Sequence, residues 1–283
     1  MIRAIILLAL WAAALAAIPP PPGDPIDKPV PGARVNYTTL LRLVCSDLEV
    51  EENDALRAKA TGVIGIRELG SDKVPEPVED VNFDIQSVKT VALLRSPQPR
   101  ALISFVMPAL DGDQLVRYLA LFDLAPALRL VDVVSVYAFP DDAGDFDSHF
   151  ALNPTTDAYV YQSFHSNSSQ GYQSTTILFV RGDRIEKIAE INLLNARGWE
   201  DVQGYEENEH ISTAPAAGRP YRDVVIRVEF KLVADDQESE HRPLRRGSIR
   251  YYSAVYRWDA AAHRFVTTSK ELDALDKFNR DHN

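Results

Sequence analysis

The segment from His165 to Tyr172 concentrates neutral hydrogen-bonding side chains between two runs rich in tyrosine, valine, isoleucine and phenylalanine. Imidazole, amide, hydroxyl and phenol groups together suit recognition of a sugar, a peptide backbone or another polar neutral ligand. We therefore take His165, Asn167, Gln170 and Tyr172 as candidate ligand-binding residues. The alternative interpretation is a turn in which serine and asparagine side chains satisfy the local backbone.

The segment from Asp141 to Asp147 contains four aspartates in seven residues, which is enough oxygen for a calcium ion. Its spacing and glycine position depart from the EF-hand loop, so we expect a solvated acidic loop with at most a weak calcium site.

The six histidines include no pair at the spacing of metal ligands on a helix or a strand. The sequence therefore predicts no metal and no cofactor.

Familiar catalytic motifs are absent from the sequence, including the Gly-x-Ser-x-Gly elbow, the His-Glu-x-x-His helix, the glycine-rich phosphate loop and the dinucleotide fingerprint. A hydrolase would need His165 or His210 as a base, with Asp201 or Glu209 as its partner. No nucleophile stands out beside these residues. The sequence therefore favours a non-catalytic protein over an enzyme.

Three other features could carry chemistry, but each has a structural explanation. Arg181-Gly182-Asp183 is a tripeptide that some adhesion receptors bind, yet glycine and aspartate are also what a tight turn needs. Asp132 shares a strand face with apolar residues, so its carboxylate must be hydrogen-bonded or lie at a wet edge. The single cysteine, Cys45, lies in an apolar run and is predicted to be a buried, inert thiol.

Short β-branched and aromatic runs separated by turn residues dominate the chain after Ser87. The clearest run alternates Val224 and Ile226 with Val225 and Arg227, which predicts one buried and one wet face. The pattern predicts ten strands, near residues 87–95, 100–107, 115–124, 127–137, 157–164, 173–181, 184–194, 222–233, 248–258 and 263–268.

The links between these strands are mostly short and polar, which permits hairpins and excludes the crossovers that parallel strands need. We predict an all-β fold in which an antiparallel meander forms a two-layer sandwich or a barrel-like sheet, with a propeller as the second choice. A capping box at Thr268 and Glu271, followed by a one-sided apolar stripe, predicts a short C-terminal helix. Residues 36–70 are ambiguous, with a helix considered for 53–60 and a strand for 61–68.

In a simple meander, successive loops alternate between the two ends of the sheet. The predicted loops at 138–156 and 234–246 would share one end and make it strongly anionic. The loops at 165–172 and 195–220 would share the other end. This placement adds Trp199 and His210 to the candidate ligand-binding residues.

The N-terminus has one positive charge, at Arg3, followed by an unbroken apolar run from Ala4 to Ala17 that ends in small residues. This order is typical of a secretory signal peptide, and the run is shorter than the ~20 residues of a spanning helix. We expect a signal peptide at 1–16, a proline-rich extended spacer at 17–35 and a single β-rich globular domain at 36–283. The mature protein would then be secreted or periplasmic, without a membrane span.

The formal net charge of −11 repels phosphate backbones and anionic lipid headgroups over the whole surface. Nucleic acid is therefore not an expected partner, whereas a polar small molecule, a glycan or a protein is compatible with this charge. The leading hypothesis is an exported binding or interaction module that presents polar loops on a β scaffold. The alternatives are an exported hydrolase of unrecognised type and a structural envelope protein.

The mature protein is predicted to begin at Ala17, because Ala14 and Ala16 place small side chains at the two positions that a signal peptidase reads. Intact-mass measurement on secreted material should show this N-terminus. Recovery of the chain with residues 1–16 in a fraction that needs detergent would contradict the prediction.

Overall fold

The computed structural model describes residues 28–51, 55–74, 81–94, 98–109, 115–136, 144–167, 170–196, 204–233 and 249–281. Several predicted features lie outside these residues: the signal peptide at 1–16, most of the spacer, Asp141, Asp142, Trp199, Asp201 and the acidic segment at 234–246.

The described chain contains two helices and sixteen strands, with a 3₁₀ turn at Ala60–Gly62. In chain order the elements are α1 (Tyr37–Leu41), β1 (Glu49–Val50), β2 (Leu56–Lys59), β3 (Arg67–Glu68), β4 (Asn82–Ile85), β5 (Ser87–Leu94), β6 (Arg100–Pro108), β7 (Leu115–Asp123), β8 (Arg129–Val136), β9 (Asp145–Asn153), β10 (Thr156–Ser166), β11 (Gln170–Arg181), β12 (Arg184–Ala196), β13 (Gly204–Ala214), β14 (Asp223–Val233), β15 (Ile249–Asp259), β16 (Arg264–Val266) and α2 (Glu271–Asp281).

The last eight strands form one antiparallel sheet, in the order β16-β15-β14-β13-β12-β11-β10-β9. Each strand pairs with its neighbours along the chain, which confirms the predicted meander in this half of the protein. All ten predicted strands are present, as β5 to β8, β10 to β12 and β14 to β16.

Two strands of this sheet, β9 and β13, were missed by the sequence pattern, so the predicted loops at 138–156 and 195–220 were wrong. In β13 the inward positions are Tyr205, Glu207, Glu209 and Ile211, and the two glutamates interrupt the apolar alternation that marks a strand. In β9 the register against β10 shifts twice, which places extra residues between its apolar positions.

The strands β5 to β8 form a second meander, in a sheet of order β3-β8-β7-β6-β5. As predicted, the run within Leu115–Asp123 is central and is buried on both faces from Arg117 onward. The edge strand β3 runs parallel to β8, with Arg67 opposite Val134, so the expectation of purely antiparallel pairing was wrong at this edge.

A small third sheet, of order β1-β2-β4, accounts for part of the ambiguous region. The helix considered for residues 53–60 was wrong, because Leu56–Lys59 is a strand that buries Leu56 and Ala58. The strand considered for 61–68 is reduced to Arg67–Glu68.

Three apolar clusters hold these elements in four layers. The first joins α1 and the small sheet to one face of the five-stranded sheet, through Tyr37, Leu40, Leu56, Phe83, Ile103, Phe105 and Ala120. The second joins the opposite face of that sheet to β10 and β11, through Leu102, Leu119, Leu121, Val134, Tyr159, Tyr161 and Leu178. The third packs the other face of the strands β10, β11 and β12 against β14 and α2. It contains Ile177, Phe179, Val224, Ile226, Val228 and Leu275.

The eight-stranded sheet folds back on itself between β12 and β13. These two strands pair through Ala196 and Tyr205, and β13 then crosses over β10 and β11. Among the described residues none of the three sheets closes on itself, and none forms a four-stranded blade. The all-β fold of packed antiparallel sheets is therefore confirmed, but it has four layers where the sandwich prediction had two, and the described residues form neither a closed barrel nor a propeller.

Helix α2 fills the gap between β12 and β15. Its apolar stripe of Leu272, Leu275 and Phe278 packs on the third cluster, which confirms the predicted C-terminal helix. Glu271, expected to cap the helix, instead accepts a hydrogen bond from the backbone N–H of Ser253 in β15, at 2.6 Å. Neither helix in the described part of the chain has the length and apolarity to cross a bilayer.

Cys45 is fully buried beside α1, as predicted. Burial raises the pKa of its thiol to about 12, and the nearby Asp47 carboxylate adds to this shift. Because the thiolate is the reactive form, burial and the raised pKa both disfavour reaction of this cysteine.

A buried ion pair links the two large sheets. Arg67 in β3 donates two hydrogen bonds to Asp132 in β8, from Nε at 3.2 Å and from Nη2 at 2.5 Å. The same pair also bonds to the backbone of Ile185 in β12. The Ile185 N–H donates to Asp132 at 2.7 Å, and the Ile185 carbonyl accepts from Arg67 at 2.7 Å. Asp132 is therefore hydrogen-bonded, as its position on an apolar face required.

Replacing Asp132 by alanine is predicted to destabilise the protein by about 3–5 kcal/mol, because Arg67 and the Ile185 N–H lose their buried acceptor. Urea unfolding followed by circular dichroism at pH 7 measures the loss. The matched control is Asp84→Ala, which removes a half-exposed partner of Arg57 and should cost less than about 1 kcal/mol. Equal losses in the two variants would contradict the prediction.

Candidate functional site

The hairpin between β10 and β11 carries four of the six predicted ligand-binding residues. His165 lies opposite Tyr172 in the strand ladder, and the centroids of their rings are 5.7 Å apart. Gln170 N–H donates to Asn167 Oδ1 at 2.8 Å, and Asn167 N–H donates to the Gln170 carbonyl at 2.9 Å. The structure therefore brings these four side chains together at one hairpin end.

The polar groups of this hairpin also bond to one another. Gln170 Oε1 accepts hydrogen bonds from Asn167 Nδ2, at 3.4 Å, and from the Tyr172 hydroxyl. This arrangement agrees with the alternative of a turn that satisfies itself. The polar groups of the hairpin therefore do not need a ligand as a hydrogen-bond partner. We assign the hairpin to the rim of a site and not to its centre.

His210 does not join the hairpin. It is an exposed residue in the middle of β13, opposite Arg227 of β14, and it points away from the inward face that Glu209 occupies. The expectation that His210 belongs to a loop beside Tyr172 was therefore wrong, because a strand runs through residues 204–214. Trp199 lies outside the described residues, so its predicted role stays a prediction.

The missed strands also change which connections share an end of the sheet. Gln170 pairs with Ala196, and Gly204 pairs with Val233, so the strand ends that flank residues 234–248 lie at the same end as the hairpin. The predicted separation between an acidic end and a polar end was wrong for this segment. Each additional strand reverses the direction of every later one.

A cluster that the sequence analysis did not identify as a group lies on β10 and β11 beside this hairpin, where Gln173 follows Tyr172 in the strand and Tyr172 packs against the third apolar cluster. Glu209 Oε1 accepts three hydrogen bonds: from Gln162 Nε2 at 2.6 Å, from Thr175 Oγ1 at 2.7 Å and from Gln173 Nε2 at 2.9 Å. We refer to Gln162, Gln173, Thr175 and Glu209 as the amide–carboxylate cluster.

The second carboxyl oxygen of this cluster, Glu209 Oε2, is buried and has no hydrogen-bond partner among the described residues. Burial raises the pKa of Glu209, and the donors from Thr175, Gln162 and Gln173 only partly oppose that shift. Three donors on one oxygen fix the direction of the carboxyl group. The free oxygen is thus a positioned acceptor, or a donor when the carboxyl is protonated.

Phe164 lies beside this cluster, directly opposite Gln173 in the strand ladder. It is 48% exposed, while Gln162, Gln173 and Glu209 are half-buried, so the cluster reaches the surface next to an aromatic side chain. Aromatic faces beside amide and carboxyl groups suit ligands with both apolar and hydroxyl or amide surfaces.

The alternation of inward and outward residues along β10 and β11 contains a sequence signal for this cluster. Gln162 and Thr175 occupy the same face as Val160 and Ile177, which belong to the core, so polar residues at those positions needed buried partners. The partner Glu209 could not be inferred, because β13 was not recognised as a strand.

The neighbouring inward glutamate, Glu207, has a structural role. Its Oε2 accepts from the Leu194 N–H and from Asn279 Nδ2 of α2, both at 3.0 Å, and the side chain is 2% exposed. Glu207 thereby accepts a hydrogen bond from a backbone N–H of β12 at the point where β13 no longer pairs with that strand. Burial raises the pKa of Glu207 to about 7 against the weaker opposing effect of these two donors.

Stability is predicted to fall as pH rises through the Glu207 titration. The folded-state pKa lies above the ordinary value of 4.5, so the folded protein holds this proton more tightly than the unfolded chain does. The resulting stabilisation is complete below about pH 4.5 and is lost by about pH 7, with a total on the order of 3 kcal/mol.

The test compares urea unfolding of the wild type and Glu207→Gln from pH 5 to pH 8. The glutamine keeps an acceptor for Leu194 without a titrating group, so the variant should gain stability relative to the wild type as pH rises. Glu206→Gln is the control, since Glu206 points outward and its side chain is 49% exposed. A pH slope unchanged by Glu207→Gln would contradict the assignment.

Two other predicted features have structural roles. Arg181-Gly182-Asp183 forms the tight β11–β12 turn, where Gly182 has a φ of 56° and Asp183 is paired with Arg100 at 2.6 Å. At the start of β9, Asp145 forms an ion pair with Lys89 of β5. Within the described ranges, no three His, Cys, Asp or Glu residues are grouped so that they could hold a metal ion.

Comparison of the chain with protein-family models, with curated proteins and with solved structures found no match in any of the three.

Proposed function

We propose that this chain is an exported, non-catalytic binding module, secreted or periplasmic, that recognises a neutral polar ligand such as a glycan or a peptide backbone. The ligand would contact the amide–carboxylate cluster and Phe164, with the hairpin residues His165, Asn167, Gln170 and Tyr172 as the rim. Export is proposed from the N-terminal sequence pattern.

The observation that carries this proposal is the unpartnered oxygen of Glu209. Buried polar atoms in proteins normally have a hydrogen-bond partner, and leaving one without a partner costs about 1–3 kcal/mol. A ligand hydroxyl or amide would recover this cost by bonding to Glu209 Oε2 after the half-buried side chains beside it move aside. Because a sugar hydroxyl can both donate and accept, it fits either protonation state of the carboxyl group.

A binding role is favoured over the hydrolase alternative by the way the titratable groups are divided. Glu207 caps the backbone of β12, and Glu209 is held by three neutral donors. His210 is exposed on the outer face of β13, so it points away from the inward face on which the Glu209 side chain is held. A general base beside a nucleophile is therefore not part of this proposal.

Wild-type protein is predicted to bind members of a panel of immobilised neutral oligosaccharides or neutral capped peptides. Glu209→Gln replaces one acceptor oxygen with a donor nitrogen in a side chain of the same shape, and Tyr172→Ala removes part of the rim. Each substitution should weaken binding about tenfold, because lost hot-spot contacts cost about 1–3 kcal/mol. Surface plasmon resonance measures the change.

Tyr251→Ala is the matched control, since Tyr251 is an exposed tyrosine on the outer face of β15. It should bind like the wild type. Equal binding by all four proteins would remove the cluster from the site. Failure of folded wild-type protein to bind either panel would reject a neutral polar ligand.

A further inference from the structure

The outer face of β13, β14 and β15 carries an arrangement of side chains that the proposed function does not use. Strand register places His210, Arg227 and Ser253 side by side across the three strands. Arg227 points outward between the buried residues Ile226 and Val228, and both Arg227 and His210 are exposed.

The guanidinium group of Arg227 lies over an aromatic ring. Its guanidinium carbon lies 3.7 Å from the centroid of the Tyr251 ring, and the Tyr251 hydroxyl donates to Glu229 Oε2 at 3.1 Å, which fixes the ring. Stacking restrains the guanidinium and leaves its N–H groups at the edges available, because a ring face accepts none of them in the guanidinium plane.

The other cations of this face are matched by carboxylates. Lys231 lies 3.5 Å from Glu206, and Arg257 lies 3.5 Å from Asp223. Arg227 itself has no ion pair or hydrogen bond with any residue in the described part of the chain. The chain has 41 acidic and 30 basic side chains, so carboxylates outnumber cations and a guanidinium without a carboxylate partner is unexpected.

We propose that Arg227, with His210 beside it, binds an oxyanion group: a carboxylate, sulfate or phosphate displayed by a ligand. The restrained guanidinium offers paired N–H donors in the geometry that these groups accept. Glu271 bonds to Ser253 on one side, and Glu229 anchors Tyr251 along the strand, so the approach least opposed by negative charge passes over His210.

The net charge of −11 opposes this binding, but only part of that charge acts at the site. At physiological ionic strength, interactions between exposed charges are largely screened beyond about 8 Å. The local groups therefore dominate, and isolated anions should bind with a Kd in the millimolar range, about 4 kcal/mol.

The experiment titrates the mature protein with sodium sulfate, sodium phosphate and sodium acetate at constant ionic strength, with sodium chloride as the balancing salt. Two-dimensional NMR follows the Nε–H signal of Arg227 and the backbone amides of β13 to β15. Wild-type protein should show saturable shifts confined to this face. Comparison of sulfate and phosphate with acetate distinguishes a tetrahedral oxyanion from a carboxylate.

Arg227→Gln should weaken binding at least about tenfold, whereas Arg257→Gln, which alters a paired arginine on the same face, should leave it unchanged. Tyr251→Phe retains the stacked ring and should bind within about twofold of wild type, while Tyr251→Ala should bind several-fold more weakly. These expectations follow from loss of the charged donor or of its restraint. Far-UV circular dichroism checks the fold of each variant.

Equal weakening by Arg227→Gln and Arg257→Gln would overturn the proposal, as would shifts that stay linear in every protein, since both indicate diffuse attraction to charge. Tyr172→Ala, at the separate hairpin, should not change anion binding. Failure of this site therefore leaves the binding proposed for the amide–carboxylate cluster untouched, and the reverse also holds.

Discussion

The buried pair of Arg67 and Asp132 is the interaction on which the arrangement of the two large sheets depends. It joins β3 and β8 of one sheet to the backbone of Ile185 in the other, with both side chains about one-tenth exposed. Apolar contacts of the second cluster attract the sheets but have no direction. The ion pair has direction, so it fixes where β12 lies against β8.

Polar side chains also complete the outer edge of β12, because β13 pairs with that strand through a single pair of residues. An uncovered strand edge presents unpaired N–H and carbonyl groups. Here side chains cover it: Asn279 donates to the Asn192 carbonyl, and Glu207 accepts from the Leu194 N–H. Helix α2 and two buried polar residues thus complete an edge that no further strand covers in the described part of the chain, which gives the buried Glu207 a structural role.

The two inward glutamates of β13 have different hydrogen-bond partners. Glu207 is explained by the backbone that it caps. Glu209 bonds only to side chains, and one of its oxygens has no partner among the described residues. Glu207 Oε1 likewise has no partner among the described residues, but Glu207 is 2% exposed, whereas Glu209 lies in the half-buried cluster beside Phe164, which is why the proposed ligand site is centred on Glu209.

The sequence by itself determined the all-β class, ten of the strands, the meander order and the C-terminal helix, because period-two alternation and short polar links are local signals. It also determined that Asp132 needs a partner and that His165, Asn167, Gln170 and Tyr172 lie close together, since one hairpin holds them. Only the tertiary structure decided that β9 and β13 are strands, since two register shifts break the period of β9 and distant groups satisfy the inward glutamates of β13. Those two strands reversed the ends at which later segments lie, moved His210 to the outer face, and brought Glu209 to Gln162 and Gln173. Such contacts join residues 36 and 47 positions apart, and no local pattern encodes them.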